Sequence, residues 1–205
     1  MQTNVGSHPL PAPERLKRII AFLQAAEALK DTLRSGCTTL GRAESTAEHT
    51  WRLCLMVMLV ERELDGVDTL KLLKMCIVHD LGEAISGDVP AVMQAADDGR
   101  AGRERRDLVE LCASLPEDLS AEIVALWDEY SAGETPEAMF AKGFDKLETV
   151  LQHVQGTNPD DFDYEFNLGY GRDRTDRHPL LKALRGLADD MTRTCAEEQK
   201  SRRPV

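Results

Sequence analysis

The segment CIVHDLGEAISGD, residues 76–88, ends an apolar run in one imidazole and three carboxylates. His79 and Asp80 come first, and Glu83 and Asp88 follow at short intervals. These residues either cap a helix or hold a metal ion and a water next to it. A histidine suits a helix end because its charge complements the helix dipole, whereas an aspartate there is unfavourable. Since a divalent cation would reverse that cost, the pair favours a metal site.

Two further residues, His49 and Asp145, complete a set of candidate metal ligands on three predicted helices. His49 lies on the apolar face of its helix, where a core histidine with one hydrogen bond is the alternative. Asp145 borders an apolar stripe, where pairing with Lys142 or Lys146 is the alternative. Two imidazoles and two carboxylates suit one divalent transition metal ion (Mn, Co, Fe, Ni or Zn) better than Ca or Mg. Such sites are built from facing helices of a bundle.

The spacing of the histidines predicts a single metal ion. No histidine lies between His79 and His153. His153 is eight residues beyond Asp145. That separation is about 12 Å along a helix that rises about 1.5 Å per residue, so both residues cannot bind one ion.

Three segments of the chain resemble a known enzyme family. They read ESTAEHTWRLCLMVMLV, KMCIVHDLGEAISGDVP and FDKLETVLQ. Over roughly residues 14–155 the chain resembles the HD-domain metallophosphohydrolases, and among them the 5′-deoxynucleotidase branch. The resemblance implies a helical HD domain, a nucleotide substrate and a homodimer. It also implies that the four candidates are the metal ligands: His49, His79, Asp80 and Asp145.

The resemblance implies roles for four residues around the metal. Glu83 matches the acidic residue beside the water that attacks phosphorus, and on a continuing helix it would share the side of the preceding ligands. Asp88 matches the acidic residue near the scissile ester, with an Asx turn as the alternative. Arg34 matches a phosphate-gripping arginine. Arg42 stands where many relatives carry a second basic residue that binds substrate.

One position departs from the family pattern. Bacterial deoxynucleotidases carry a bulky aromatic residue directly after the gripping arginine, where it crowds the sugar 2′ position. Here Arg34 is followed by Ser35. The sequence therefore shows no physical basis for rejecting a 2′-hydroxyl, and the choice between deoxy and ribo substrates stays open.

The apolar periodicity predicts an all-α protein with about seven helices and one domain. The first helix begins at Glu14 and is expected to end near Ser35-Gly36. The second opens on the capping box Ser45-Thr46-Ala47-Glu48, and Asp68 caps the third. The segment from Gly156 to Arg177 reads as a long loop. The remaining helices are predicted over Glu104 to Leu115, Asp118 to Tyr130, Pro136 to Gln155, and Pro179 to about Glu197.

The chain ends are expected to lie outside this bundle. Residues 1–13 contain three prolines and no periodicity, which predicts a disordered leader. The HD domain is then expected over residues 14–198 and a short tail over residues 199–205. No basic segment followed by an apolar one marks a signal peptide, and the longest apolar run is too short to cross a bilayer.

The composition excludes several classes of function. A net charge of −11 and a pI near 4.9 argue against binding to a nucleic acid polymer or an anionic membrane. An anionic substrate must therefore meet a few local cations or a metal. Five cysteines without a C-x-x-C pair argue against a disulfide framework and indicate a cytoplasmic protein.

Three functions remain open. The first is hydrolysis of nucleoside 5′-monophosphates, with deoxy forms preferred, to nucleoside and phosphate. The second keeps the site but acts on another small phosphate ester or a nucleotide polyphosphate. The third is a non-catalytic nucleotide-binding helical protein, which would need neither Glu83 nor an open position on the metal.

Overall fold

The computed structural model describes residues 9–93 and 99–202. Within these ranges the fold is helical, as predicted. Seven helices have ten residues or more: α1 (Pro13–Ala26), α2 (Thr46–Leu59), α3 (Thr69–Val78), α5 (Arg100–Leu111), α6 (Glu117–Ala132), α7 (Pro136–Gln155) and α10 (Pro179–Arg202). Three are shorter: α4 (Glu83–Ser86), α8 (Tyr164–Gly169) and α9 (Arg172–Thr175). One antiparallel hairpin joins β1 (Leu33–Cys37) to β2 (Ala43–Ser45).

The hairpin corrects the prediction that the first helix continues to Ser35-Gly36. Helix α1 ends at Ala26, and a 3₁₀ turn over Glu27–Lys30 leads into β1. The Thr32 hydroxyl donates to the Ala28 carbonyl at 3.1 Å, a local bond that competes with the helical ladder. Gly41, with φ of 83°, then turns the chain back so that β2 pairs with β1.

The predicted loop from Gly156 to Arg177 contains the short helices α8 and α9. Helix α8 begins at an aspartate cap, since the Asp163 side chain accepts from the Phe166 backbone N–H at 3.1 Å. A polar, glycine-rich composition does not reveal so short a helix, because tertiary contacts rather than propensity hold it. Helix α10 also runs past the predicted end at Glu197 to Arg202, so the predicted tail begins inside it.

Two hydrophobic clusters hold the helices together. The first lies between α2, α3, α7 and α10 and includes Leu53, Met75 and Phe144, all fully buried. The second joins α1, α5, α6 and the end of α3, around Leu108 and Trp127. As predicted, the apolar side of α2 faces the core, and His49 on that side is buried. Both clusters reach the end of α3, so the residues that follow α3 are held from two sides.

Some predictions lie partly outside the described residues. Residues 1–8 of the predicted leader and residues 203–205 of the predicted tail lie outside the described residues, as do residues 94–98. Helix α5 starts at Arg100 rather than at the predicted Glu104. Among the helices of the described residues, none is long and apolar enough to cross a membrane.

Candidate metal centre and its cavity

Helices α2, α3 and α7 bring the four predicted metal ligands together. His49 lies in the first turn of α2, His79 and Asp80 follow the last residue of α3, and Asp145 lies in the middle of α7. One ligand atom from each of His49, His79 and Asp145 lies within 4.8 Å of the other two. His79 Nε2 is 3.0 Å from Asp80 Oδ2, and His49 Nε2 is 3.5 Å from Asp145 Oδ1. The Trp127 indole fixes the loop by donating to the His79 carbonyl at 3.0 Å.

The imidazoles are oriented as metal ligands are. His79 Nδ1 lies 2.8 Å from the Cys76 carbonyl, and His49 Nδ1 bonds to the Glu148 carboxylate. These acceptors fix each proton on Nδ1 and leave the Nε2 lone pair available. Both Nε2 atoms are buried and have no hydrogen-bond partner among the described residues. Two buried nitrogens that converge on two carboxylates fit a divalent transition metal ion.

Glu148, for which the sequence predicted no role, bonds to the Nδ1 side of the His49 ring. It is fully buried one turn beyond Asp145 on α7. Arg52 Nε donates to Glu148 Oε1 at 2.7 Å, so the buried carboxylate carries a compensating charge. The i, i+3 spacing of Asp145 and Glu148 was the available signal in the sequence, because it places both on one helix face.

Asp145 has two further partners. Lys146 Nζ lies 2.9 Å from Asp145 Oδ2, and the Tyr130 hydroxyl donates to the same oxygen at 3.2 Å. The pairing of Asp145 with Lys146 that the sequence left as an alternative is therefore present alongside the ligand geometry. The other oxygen, Oδ1, is the one that faces His49 and His79. The Asp145 carboxylate thus contacts Lys146 and Tyr130 with one oxygen and faces the two histidines with the other.

The cluster attracts positive charge. Burial and the Arg34 charge would lower the pKa of His49, but Glu148 and Asp145 outweigh them and raise it to about 9. Burial alone would raise the pKa of Asp80, but His79 and Arg34 bring it down to about 2. Asp80 is therefore ionised at neutral pH, and the site is suited to a cation.

Glu83 and Asp88 line the cavity beside the cluster, although helix α3 does not continue to Glu83. Helix α3 ends at Val78, and tight turns follow in which the Glu83 N–H donates to the Asp80 carbonyl at 3.0 Å. Thr46 donates to Glu83 Oε2 at 2.9 Å. Burial, together with the charges of Asp80 and Asp88, raises the pKa of Glu83 to about 9. The pKa of Asp88 is also raised, chiefly by burial.

The two predicted substrate-binding arginines lie in different places. Arg34, on β1, donates to Asp80 Oδ2 at 3.3 Å and to Thr149 Oγ1 at 3.2 Å, and its side chain is 12% exposed. Arg42 is 61% exposed and pairs with Glu48 at the start of α2. It does not line the cavity beside the metal cluster. The structure therefore brings Arg34 to the site and leaves Arg42 outside it, because the hairpin turns Arg42 outward.

A cavity of about 470 Å³ opens over the cluster. Glu83, Asp88 and the exposed Ser35 are in its wall. Six basic side chains of the described residues line it: Arg34, Arg100, Arg103, Lys142, Lys146 and Arg174. Six acidic ones also line it: Asp80, Glu83, Asp88, Glu104, Asp145 and Asp163. The cavity thus has equal numbers of acidic and basic side chains, although the whole chain carries a formal charge of −11.

The chain is similar in sequence and in fold to known proteins. The sequence matches the HD domain family over residues 26–185. It is 30% identical over 181 residues to the 5′-deoxynucleotidase HDDC2 of Dictyostelium discoideum, covering 82% of this chain and 95% of that protein. It is 30% identical over 178 residues to the 5′-deoxynucleotidase hdd1 of Schizosaccharomyces pombe, covering 80% and 85%. The fold matches the crystal structure of a predicted metal-dependent phosphohydrolase from Magnetospirillum magnetotacticum MS-1 with a TM-score of 0.72 and 30% identity, covering 90% of this chain and 97% of that one.

Proposed function

Because the chain belongs to the HD-domain family, we propose that it is a metal-dependent phosphomonoesterase acting on nucleoside 5′-monophosphates. The products are a nucleoside and inorganic phosphate. The proposal rests on the two buried Nε2 atoms of His49 and His79, which make no hydrogen bond within the described residues and converge on Asp80 and Asp145 beside the cavity. A histidine with only a structural role would be expected to use both ring nitrogens in hydrogen bonds, since burying an unpaired polar atom costs stability.

The four converging residues would hold one divalent transition metal ion: His49, His79, Asp80 and Asp145. Two imidazoles and two carboxylates suit Mn, Co, Fe, Ni or Zn. When bound, such an ion supplies Lewis-acid polarisation of phosphoryl oxygens and favours ionisation of water. It would also add positive charge to the cavity, which matches a phosphate monoester of charge about −1.5 to −2 at pH 7.

Glu83 and Asp88 would act as the proton acceptor and the proton donor of the reaction. A pKa of about 9 keeps Glu83 protonated at neutral pH in the metal-free protein, and the Thr46 hydroxyl holds its carboxyl group in place. A bound cation would favour the ionised carboxylate, which would then accept a proton from the attacking water. Asp88 lines the same wall, burial raises its pKa, and it would donate a proton to the leaving 5′-oxygen.

Arg34 would bind the phosphoryl group. Burial alone would lower its pKa, but Asp80 and Asp145 raise it above the ordinary value, so the guanidinium stays charged. Its contacts with Asp80 and Thr149 hold the planar fork toward the cavity. A fixed guanidinium matches the phosphate oxygens and stabilises the charge that develops on them.

The sugar specificity follows from Ser35, which lines the cavity directly after Arg34. A small side chain leaves room for a 2′-hydroxyl, so we propose that ribo- as well as deoxynucleotides are accepted. The alternatives are another phosphate ester or a nucleotide polyphosphate with the same site, and a non-catalytic nucleotide-binding protein. A non-catalytic nucleotide-binding protein would need neither proton transfer by Glu83 nor a carboxyl group at Asp88.

The test is phosphate release from a panel of deoxy- and ribonucleoside 5′-monophosphates with Mn²⁺ or Co²⁺. Glu83→Gln preserves shape but cannot accept the proton, so we expect a loss of roughly 10²- to 10⁴-fold in kcat. Glu110→Gln, an exposed change on α5, is the matched control and should keep full activity. If the metal-loaded protein releases no phosphate from any nucleotide, the proposal fails.

We also propose that the chain acts in the cytoplasm and forms a homodimer. All five cysteines are free, which suits a reducing compartment. Leu16, Ile20 and Leu23 are exposed along α1, which offers an apolar surface for a second copy. Analytical ultracentrifugation of the protein and of a Leu23→Glu variant would detect the dimer and its loss.

A further inference from the structure

The end of the cavity away from the metal ligands has no role in the chemistry above. Its wall includes His153 on α7, Asn167 on α8 and the ring of Phe162. Resting on the proposed function, we propose that this wall binds the nucleobase, with the Asn167 side-chain nitrogen donating a hydrogen bond to an acceptor on the base edge. The site would thereby recognise nucleotides rather than phosphate esters in general.

The positions of three cavity residues along α7 give the distance between the phosphate and the base. Asp145, Thr149 and His153 follow at four-residue intervals on one face of the helix, and all three line the cavity. Asp145 and His153 are about 12 Å apart along the axis. This length is comparable to a nucleoside monophosphate. A phosphate at Asp145 therefore places the base beside His153.

Strand β1 runs along the same face and fixes the direction of the substrate. Arg34 bonds to Thr149 at 3.2 Å. A Cβ on Gly36 would lie only 3.2 Å from His153 Cδ2, so the strand packs directly on that ring. Ser35 lies between these two contacts and lines the cavity. The order along the wall is thus phosphate contact, sugar edge and base contact.

Asn167 offers a hydrogen-bond donor that the protein itself does not use. It is fully buried, and His153 Nδ1 lies 2.9 Å from its Oδ1. Burial lowers the pKa of His153, so the neutral ring donates its Nδ1–H to Oδ1. The remaining atom, Nδ2, has no partner among the described residues. A buried donor without an acceptor is costly, and a ligand acceptor removes that cost.

The wall is held rigidly, as a recognition surface must be. Arg185, 1% exposed, donates to the backbone carbonyls of Asn167 and Tyr170 and pairs with Asp189. Asn158 donates to the His153 carbonyl at 2.6 Å. These bonds order the segment before any ligand arrives, which lowers the entropic cost of binding.

Aromatic rings provide flat surfaces next to the polar pair. The Phe162 ring packs edge-on against His153 with centroids 4.9 Å apart, and Phe166 and Tyr170 also line the cavity. A planar base can pack on such rings through dispersion and quadrupole contacts. The combination of a buried amide donor and rings suits a heterocycle better than a second phosphate or a sugar.

The experiment compares substrates with and without a base. We expect the protein to hydrolyse dAMP, dGMP, dCMP and dTMP with a higher kcat/KM than 2-deoxyribose 5-phosphate. Asn167→Asp keeps the acceptor for His153 but replaces the donor, and Asn167→Leu removes both with a side chain of the same branching and number of heavy atoms. Each should lower kcat/KM for the nucleotides roughly ten- to hundredfold while 2-deoxyribose 5-phosphate changes less than twofold.

Three results would overturn this inference. They are equal loss on both kinds of substrate, no loss on either, or a wild-type protein that does not favour substrates with a base. If no nucleotide is hydrolysed at all, the proposed function fails, and calorimetry then decides the base site separately. In that case dNMP binding that Asn167→Asp weakens supports the base site, and binding that it leaves unchanged refutes it. Circular dichroism of both variants shows whether they fold.

Discussion

At the scale of single residues, Arg34 and Arg42 show how burial decides what a charge can do. They lie eight positions apart in the sequence, and the resemblance implied a substrate contact for both. Arg34 is held between Asp80 and Thr149, whereas Arg42 is exposed and pairs with Glu48. An exposed pair is worth little because solvent screens it. We therefore expect Arg34 to bind substrate and Arg42 not to.

The two arginines give a matched prediction. Arg34→Lys loses the planar fork, so we expect KM for a nucleotide substrate to rise roughly 10- to 100-fold, since hydrogen bonds to charged groups contribute about 1.5–3 kcal/mol. Arg42→Lys should change KM less than twofold. Steady-state kinetics of both variants measure this. Equal effects at the two positions would show that the exposed arginine also contacts substrate.

The four candidate metal ligands were predicted from their combined pattern and from the family resemblance, because His49 and Asp145 taken singly each had a structural alternative. Their convergence in the structure agrees with that prediction. Glu148 was not singled out, although it lies in the quoted segment FDKLETVLQ. Its role depends on the direction of the His49 ring, which spacing along the sequence does not give.

At the scale of elements, the junction between α3 and α4 decides where Glu83 lies. A continuing helix would have placed Glu83 by simple periodicity. The chain instead tightens after Val78, and α4 packs closely on α5. Gly82 permits this approach, since a Cβ there would lie 2.7 Å from the Glu104 carbonyl oxygen. A backbone atom cannot move aside as a side chain can.

Gly82→Ala should therefore destabilise the protein by about 1–3 kcal/mol, the usual cost of overpacking. It should also lower activity, because displacement of α4 moves Glu83. Gly186→Ala is the control, since a Cβ on Gly186 meets nothing within 4 Å. That change should stabilise α10 by up to about 1 kcal/mol through helix propensity. Urea denaturation of both variants measures the difference, and equal stabilities would contradict the packing argument.

At the scale of the whole molecule, the candidate metal ligands come from segments far apart in the chain. His49 and Asp145 are separated by 96 positions, on α2 and α7, and His79 and Asp80 follow α3. A ligand that binds only the folded state adds its binding free energy to stability. Metal binding should therefore stabilise the entire helical assembly rather than one loop.

Addition of Mn²⁺ to metal-free protein should raise Tm, and chelation should reverse the rise. At a free concentration 100 times Kd the added stability is about 2.7 kcal/mol. Asp80→Ala removes one ligand, so its Tm should respond much less and its metal content should fall. Differential scanning calorimetry and elemental analysis measure the two effects. An undiminished response in this variant would refute the ligand assignment.

The sequence by itself determined the fold class, the seven long helices and the candidate metal ligands. Apolar periodicity, caps and residue chemistry are local properties, so Pro136–Gln155 was predicted with the bounds that the structure gives. Only the tertiary structure decided the hairpin, the short helix α8, the outward position of Arg42 and the pairing of His153 with Asn167. Each of these depends on contacts between distant segments, whose geometry no local pattern in the chain encodes.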